Sequence, residues 1–195
     1  MAKVKRVVIG PNAEQRSAVL YGDSSNEQQV RGIFWRSTLW ATSELPVDNT
    51  VAGDRANGVM QREPAGDGLI FRALEIPPDI EDRQKHIEVL QELHEAVKQK
   101  HVPSPDDMAR HPSMHRTDTL DMFTITRGEI YLVTDTDEVL LKSGDSAIVQ
   151  GVNHAWSNRS NESCTIMCVM VHARVDDKPK HAANARSAVI SLDSS

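Results

Sequence analysis

The most constraining feature of this sequence is a nearly continuous run of strand-like segments that begins at Met114. Short segments rich in β-branched and apolar residues follow one another there, separated by turn signals such as Arg127-Gly128 and Gly144-Asp145. The predicted strands are 114–126, 129–134, 139–141, 146–149, 155–158 and 164–172. Many short strands at regular spacing predict a β-sandwich or a small barrel.

The residues before this run divide into two parts. Residues 1–78 form a β-rich extension with predicted strands at 4–9, 17–21, 33–40 and 69–76. The stretch 47–68 has no periodicity and is expected to be a mobile surface loop. Residues 79–113 comprise a helix and the loop that follows it.

The helix is predicted over 80–100, because Ile80, Ile87, Leu90 and Val97 repeat with helical spacing. Asp79 is its expected N-cap, and the prolines after residue 102 are expected to end it. His86 and His94 lie eight residues apart on this helix and are predicted to be surface or packing residues. The barrel core is assigned to 114–176 and a loosely ordered C-terminal tail to 177–195, unless its apolar residues dock as a final strand.

Composition narrows the class of protein. The 195 residues carry 22 Lys and Arg against 28 Asp and Glu, and no basic block is present, which argues against a nucleic-acid partner. No apolar stretch approaches the roughly 20 residues of a membrane span, and no export signal is visible. Cys164 and Cys168 lie four residues apart on one strand, too far for a disulfide. Free thiols predict a reducing, cytoplasmic location.

Functional side chains gather at the start of the strand-rich part. Side chains alternate across a strand, so His115, Thr117, Thr119 and Asp121 share one face, which becomes apolar deeper along. This gradient is expected of a strand that runs from a barrel mouth into its interior. If His154 converges on that face from another strand, two histidines and one carboxylate can hold a divalent metal with open positions for chemistry.

These residues resemble the two motifs of the cupin superfamily. The segment from His115 to Asp121, followed by Gly128-Glu129, is similar to the first motif, and the segment from Gly144 to Asn158 is similar to the second. The motif glycines Gly128 and Gly144 are separated by 15 residues, the short spacing of small single-domain, type-2-like cupins. The resemblance implies an all-β double-stranded β-helix, or jelly-roll, barrel with an N-terminal strand extension and one packed α-helix.

The first motif is degenerate. The resemblance assigns His115, Asp121 and His154 as metal ligands for a divalent transition metal, Fe, Mn, Zn or Ni. Thr117 stands where the second histidine of the motif belongs, and Asp121 replaces the usual glutamate. An alternative is a cupin without a metal, in which Asp121 accepts hydrogen bonds from Thr117 or Thr119.

Other side chains are candidates for supporting roles. The predicted catalytic residues are His111, Thr117 and His172, with His111 as a proton shuttle beside the mouth and His172 reaching the site from a strand end. Trp156 is a candidate pocket wall. Arg116 is the favoured residue for carboxylate recognition if it curls over the mouth.

Two function classes remain open. In the first, the protein is a metal-dependent enzyme, of the oxygenase, decarboxylase, dehydratase or isomerase type, acting on a small oxygenated, aromatic or polyketide-like substrate. In the second, it is a small-molecule-binding or scaffold cupin without turnover. The expected assembly is a homodimer, with no nucleic-acid or membrane partner.

Overall fold

The computed structural model describes residues 4–22, 27–30, 34–59 and 61–174. The tail predicted after Asp176 lies outside these ranges. The strands, in chain order, are β1 Val8–Pro11, β2 Ser17–Tyr21, β3 Glu27–Val30, β4 Phe34–Thr42, β5 Leu69–Ile76, β6 Thr119–Arg127, β7 Glu129–Val133, β8 Glu138–Lys142, β9 Ser146–Gln150, β10 Ala155–Ser157 and β11 Cys164–His172. The helices are α1 Arg83–Ala96 and α2 Pro105–Arg110.

The barrel is built from two antiparallel sheets that share one core. The larger sheet has the order β3-β4-β5-β11-β6-β9, and the smaller has the order β10-β7-β8. Both contribute to a single cluster of buried apolar residues, with Phe123 and Ile166 from the larger sheet and Ile130 and Trp156 from the smaller. Packing of two sheets over a common apolar core excludes water from both inner faces. The predicted all-β jelly-roll fold is confirmed.

The larger sheet presents its inner face by strict alternation. In β6, Asp121, Phe123 and Ile125 are buried, whereas Met122 and Thr124 between them are exposed. Phe123 pairs with Cys168 of β11, and Cys168 pairs with Arg72 of β5. This register carries one row of inward side chains across three strands.

The homodimer stays a prediction.

Helix α1 begins one turn later than its sequence pattern predicts. Its N-cap is Asp82, whose side chain accepts hydrogen bonds from the backbone N–H groups of Gln84 and Lys85 at 3.0 and 3.1 Å. The prediction of Asp79 as the N-cap was wrong. The Asp79 carboxylate instead accepts from Ser157 Oγ at 2.6 Å, so it anchors the segment before α1 to β10.

A second helix follows where only a proline-rich break was expected. The Ser104 side chain accepts from the Asp107 backbone N–H, and the Asp107 side chain accepts from the Ser104 backbone N–H. This reciprocal capping box, with Pro105 in the first turn, starts α2. Neither helix in the described part of the chain is long and apolar enough to cross a membrane.

The aperiodic segment 47–68 is buried in part, so its prediction as a surface loop was wrong there. Ala56 and Glu63 are only 1% and 4% exposed. The Asp54 carboxylate pairs with the Arg6 guanidinium through two contacts of 2.8 and 2.7 Å. The segment therefore packs into the molecule and carries Arg62 with it.

Candidate functional site

Two histidines of the predicted set are brought together by the backbone. His115 and His154 form an isolated antiparallel bridge in which each backbone N–H donates to the other's carbonyl, at 2.9 and 3.0 Å. Their imidazole rings lie 4.4 Å apart between centroids. The ring of His94, from α1, lies 6.2 Å from that of His115. We call His94, His115 and His154 the imidazole cluster.

The tautomers of the bridged pair are set by backbone carbonyls. Nδ1 of His115 donates to the Ser113 carbonyl at 2.8 Å, and Nδ1 of His154 donates to the Val152 carbonyl at 3.0 Å. Because a carbonyl oxygen only accepts, the proton is on Nδ1 and the lone pair is on Nε2. Within the described residues, Nε2 of His154 is buried without a hydrogen-bond partner.

Burial keeps the imidazole cluster neutral. It lowers the pKa of His154 and that of His94 to about 4, and it holds the pKa of His115 well below 6.5. The positive charge of Arg62 lowers all three pKa values further. At neutral pH these rings therefore carry no charge.

Asp121 faces the same interior from β6. Its Oδ2 accepts from Thr117 Oγ1 at 3.3 Å, and Thr117 Oγ1 in turn accepts from Thr119 Oγ1 at 2.8 Å. Oδ1 is buried and has no hydrogen-bond partner among the described residues. Burial raises the pKa of Asp121 to about 6, against the opposing effects of the threonine hydroxyls and Arg62.

The donor atoms do not assemble into the predicted metal centre. Within residues 4–22, 27–30, 34–59 and 61–174, no three His, Cys, Asp or Glu side chains are grouped closely enough to hold one metal ion. Both bridged imidazoles are in the tautomer that a ligand needs, and Asp121 keeps Oδ1 for a ligand bond, so the separation of the side chains is what departs from a metal centre. The Arg62 charge also opposes a divalent cation at this point. The residues present therefore do not fit a three-ligand metal site.

A cavity of about 140 Å³ lies between the inner face of the larger sheet and helix α1. The walls of the cavity are mostly apolar, and both the sheet and helix α1 contribute to them. The apolar side chains include Leu74, Ile76, Val89, Leu90, Leu93, Val97, Phe123, Trp156 and Met170. His86 and His94 also line it, so α1 lies over the barrel mouth, and the prediction of both histidines as surface or packing residues missed their place in the cavity.

Three arginines line the cavity, and the sequence did not reveal them. Arg36 of β4 and Arg72 of β5 are each 2% exposed, and Arg62 reaches the cavity from the segment before β5. Burial lowers the pKa of Arg36 to about 9 and those of Arg62 and Arg72 to about 10, and charge repulsion within the group lowers those of Arg36 and Arg62 further. We call these residues the arginine cluster.

Arg62 is held in place through its backbone. Its N–H donates to the Val97 carbonyl at 2.8 Å, and its carbonyl accepts from Arg72 Nη1 at 2.9 Å. Arg72 Nη2 also donates to the Gln61 carbonyl at 2.8 Å. The next residue, Glu63, pairs with Lys100 Nζ at 2.8 Å. These contacts fix the path of the chain while leaving the Arg62 side chain directed at the cavity.

The remaining predicted residues lie at the margins. His111 is at the mouth, with Nδ1 2.8 Å from Ser113 Oγ and Nε2 3.7 Å from Asp79 Oδ2. Thr117 is buried and supports Asp121. His172 is outside the cavity lining and lies 3.5 Å from Asp67. Arg116 is also outside it, with Nη2 3.4 Å from His101 Nδ1.

A sequence signal existed for one of the missed arginines. Ile70, Arg72, Leu74 and Ile76 alternate along β5, so an arginine stands in an otherwise apolar inward row. A charged residue within such a row indicates a buried functional or paired group. Arg62 lies in an aperiodic segment, where no pattern gives its direction.

The chain is similar to two curated biosynthesis-cluster proteins over about a third of its length. Over 67 residues it is 43% identical to phomopsin biosynthesis cluster protein C' of Diaporthe leptostromiformis, and over 69 residues 36% identical to oryzines biosynthesis cluster protein J of Aspergillus oryzae. These matches cover 34% and 35% of this chain and 34% and 37% of the relatives, so the chain spans only about a third of their length. The solved cupin domain of Schizosaccharomyces pombe Cnp3 is 14% identical, with a TM-score of 0.43, over 88% of this chain and 89% of that one.

The family model Cupin_2, described as a cupin domain, matches residues 104–170. This range runs from α2 into β11 and contains the His115 and His154 bridge. It also contains both motifs that the sequence shares with cupins. Residues 104–170 therefore contain a cupin-type domain.

Proposed function

We propose that this protein binds a small organic molecule, about the size of one aromatic ring, in the barrel cavity. The observation that carries the proposal is the cavity of about 140 Å³, which is closed by helix α1 and lined mostly by apolar side chains. A concave, mainly apolar pocket with a few convergent polar groups is the usual form of a small-molecule site. The polar groups here are His115, Asp121 and the arginine cluster.

The relatives support a small-molecule role. Both are named as biosynthesis cluster proteins, and their similarity to this chain falls in about a third of each sequence. A place in biosynthesis is consistent with a cavity that holds a small organic molecule. The ligand's apolar body would contact Leu93 of α1 on one side and Phe123 on the other.

Binding to this cavity is testable with a neutral single-ring probe, benzamide, titrated by calorimetry. We expect saturable binding with a Kd below about 1 mM, since small ligands gain up to about 1.5 kcal/mol per heavy atom. Leu93→Trp fills the cavity from α1 and should abolish the signal. Val139→Trp adds the same side chain at an exposed position and should leave it intact. Equal binding by the two variants would contradict the proposal.

A second candidate function is turnover of the bound molecule by proton transfer. The observation that favours it is the Asp121 carboxylate, which lines the cavity and keeps Oδ1 without a partner among the described residues. Such an oxygen can accept a proton from a carbon next to a ketone and exchange it with solvent, after which the enolate takes up a solvent proton at the same carbon. Acetophenone in deuterated water tests this: wild-type protein should speed deuterium uptake at the methyl group, and Asp121→Asn should not.

A further inference from the structure

We propose that the cavity is specific for an organic carboxylate, whose charged group is bound by the Arg62 and Arg72 guanidinium groups while its apolar body lies against helix α1. This inference rests on the proposed function and adds the chemical class of the ligand. Arginine suits the role because its planar array of N–H donors matches the two oxygens of a carboxylate. Arg36, which lines the same cavity, adds a third positive charge.

The first observation is the unused donor capacity of buried arginines. Arg72 is 2% exposed, and its Nε has no hydrogen-bond partner in the part of the chain that the structure describes. The same holds for Nε of Arg62. A buried charged donor without an acceptor destabilises the fold, so its presence in a cavity wall indicates a ligand that supplies the acceptor.

The second observation is the charge beside Arg62 and Arg72 on the cavity lining. Asp121 is the lining carboxylate whose negative charge raises the pKa of both arginines. Glu63, the other carboxylate that raises the pKa of Arg62, pairs with Lys100 at 2.8 Å and is outside the lining. The imidazole cluster is neutral at physiological pH. A carboxylate on the ligand would therefore give the two guanidinium groups a second negative charge.

The third observation is that the arginines are positioned before any ligand arrives. Arg72 donates through both Nη atoms to the carbonyl groups of Gln61 and Arg62. These bonds orient the Arg72 guanidinium group and hold the backbone of Arg62 beside it. The Arg62 N–H is bound to the Val97 carbonyl, next to the apolar face of α1. Charged and apolar walls therefore meet at Arg62 and Val97. Preorganisation of this kind lowers the entropy cost of binding.

The test compares benzoate with benzamide, which have nearly the same shape and differ in charge at about pH 7. We expect the wild-type protein to bind benzoate at least about tenfold more tightly than benzamide. Arg62→Met keeps the length of the side chain and removes the charge. It should weaken benzoate binding at least about tenfold and so remove most of the preference for benzoate over benzamide. Arg127→Met, at an exposed position, serves as the matched control.

The outcomes separate this inference from the proposed function. If neither probe binds, the proposed function itself fails. If both bind with equal affinity to the wild-type protein, the cavity holds a ligand but has no preference for a carboxylate, which overturns the inference. Benzamide binding also reports whether Arg62→Met is folded. Arg62→Lys should restore part of the benzoate affinity, because it returns a charge but not the planar pair of donors.

Discussion

The imidazole cluster and the arginine cluster are both buried beside one cavity, yet burial affects them in opposite ways. The ordinary pKa of histidine is near 6.5, so the drop to about 4 in His154 removes its charge at neutral pH. The ordinary pKa of arginine is so high that a drop to about 10 in Arg72 leaves it charged. The same desolvation therefore neutralises one cluster and leaves the other as the source of positive charge.

This difference assigns different tasks to the two clusters. The charged guanidinium groups attract an anion, whereas neutral imidazoles act as hydrogen-bonding groups or proton acceptors. The two clusters also differ in where they come from along the chain. His115 and His154 belong to the segment that matches the cupin family model, whereas His94 and the three arginines precede it. The cupin domain thus supplies two of the three neutral groups, and the residues before it supply the charge.

The largest expected difference between the two clusters is that only the imidazole cluster should make the protein less stable in acid. A folded-state pKa of about 4 against about 6.5 in the unfolded chain means that the unfolded state binds protons more tightly between these values. The stability from neutral His154 is thus fully present above about pH 6.5 and falls by about 3 kcal/mol by about pH 4. His94 adds a loss in the same direction. The arginines stay protonated over this whole pH range, so they do not contribute to the change of stability with pH.

Urea unfolding at about pH 7 and about pH 4.5 measures this loss. His154→Gln removes one titrating ring, so the difference in unfolding free energy between the two pH values should shrink by about 2–3 kcal/mol. Comparing the difference between pH values cancels the packing cost of the substitution. An unchanged pH difference in the variant would show that His154 is not the buried neutral group described above.

The next effect runs in the opposite direction and belongs to Asp121. Its pKa is raised from 3.8 to about 6, so the folded state binds a proton more tightly and stability falls as pH rises from about 4 to about 6. The cost of the buried carboxylate at about pH 7 is about 3 kcal/mol. Asp121→Asn removes this cost. The free energy of unfolding of the variant, taken relative to wild type, should therefore be up to about 3 kcal/mol higher at about pH 7 than at about pH 4.

The same denaturation series measures the Asp121 effect. Thr117→Val provides the companion variant, because it removes the hydroxyl that donates to Oδ2 and should raise the pKa of Asp121 further. Compared with wild type, stability should fall more with rising pH in Thr117→Val and less in Asp121→Asn. If the pH dependence of Asp121→Asn equals that of wild type over this range, Asp121 is solvated and does not face a dry cavity.

Sequence patterns predicted the barrel well because alternation and turns are local signals. Strands 17–21, 69–76 and 164–172 were placed residue for residue. His115, Thr117, Thr119 and Asp121 are all buried, as the predicted alternation requires, but the predicted start of the strand at Met114 was wrong, because β6 begins at Thr119. The hydrogen bond from Thr117 to Asp121, weighed as the metal-free alternative, is present as well.

What the sequence did not show depends on long-range contacts. The N-cap of α1 is Asp82 because Asp79 is taken by Ser157, which is 78 residues away in the chain. Arg62 reaches the cavity because Val97 and Arg72 bind its backbone, and no local pattern encodes either contact. Departures of Thr117 and Asp121 from the cupin motif pointed to an altered metal site, but they did not indicate that arginines supply the charge there.

The smallest expected effect tests whether the two clusters are electrically coupled. The Arg62 charge lowers the pKa of His94, His115 and His154, after burial as the larger cause. Arg62→Met should therefore raise all three pKa values, each by less than about one unit, because burial is retained. Titration of the imidazole proton resonances by NMR measures the shifts. Arg127→Met, at the exposed end of β6, should leave them unchanged.

The direction of these shifts decides how the cavity responds to its ligand. A carboxylate bound at Arg62 would cancel the same positive charge, so benzoate should raise the imidazole pKa values in the wild-type protein as Arg62→Met does without ligand. In the variant, benzoate should have no further effect. If the rings titrate identically in all four cases, the arginine cluster and the imidazole cluster are separate sites, and a ligand held by one does not alter the protonation of the other.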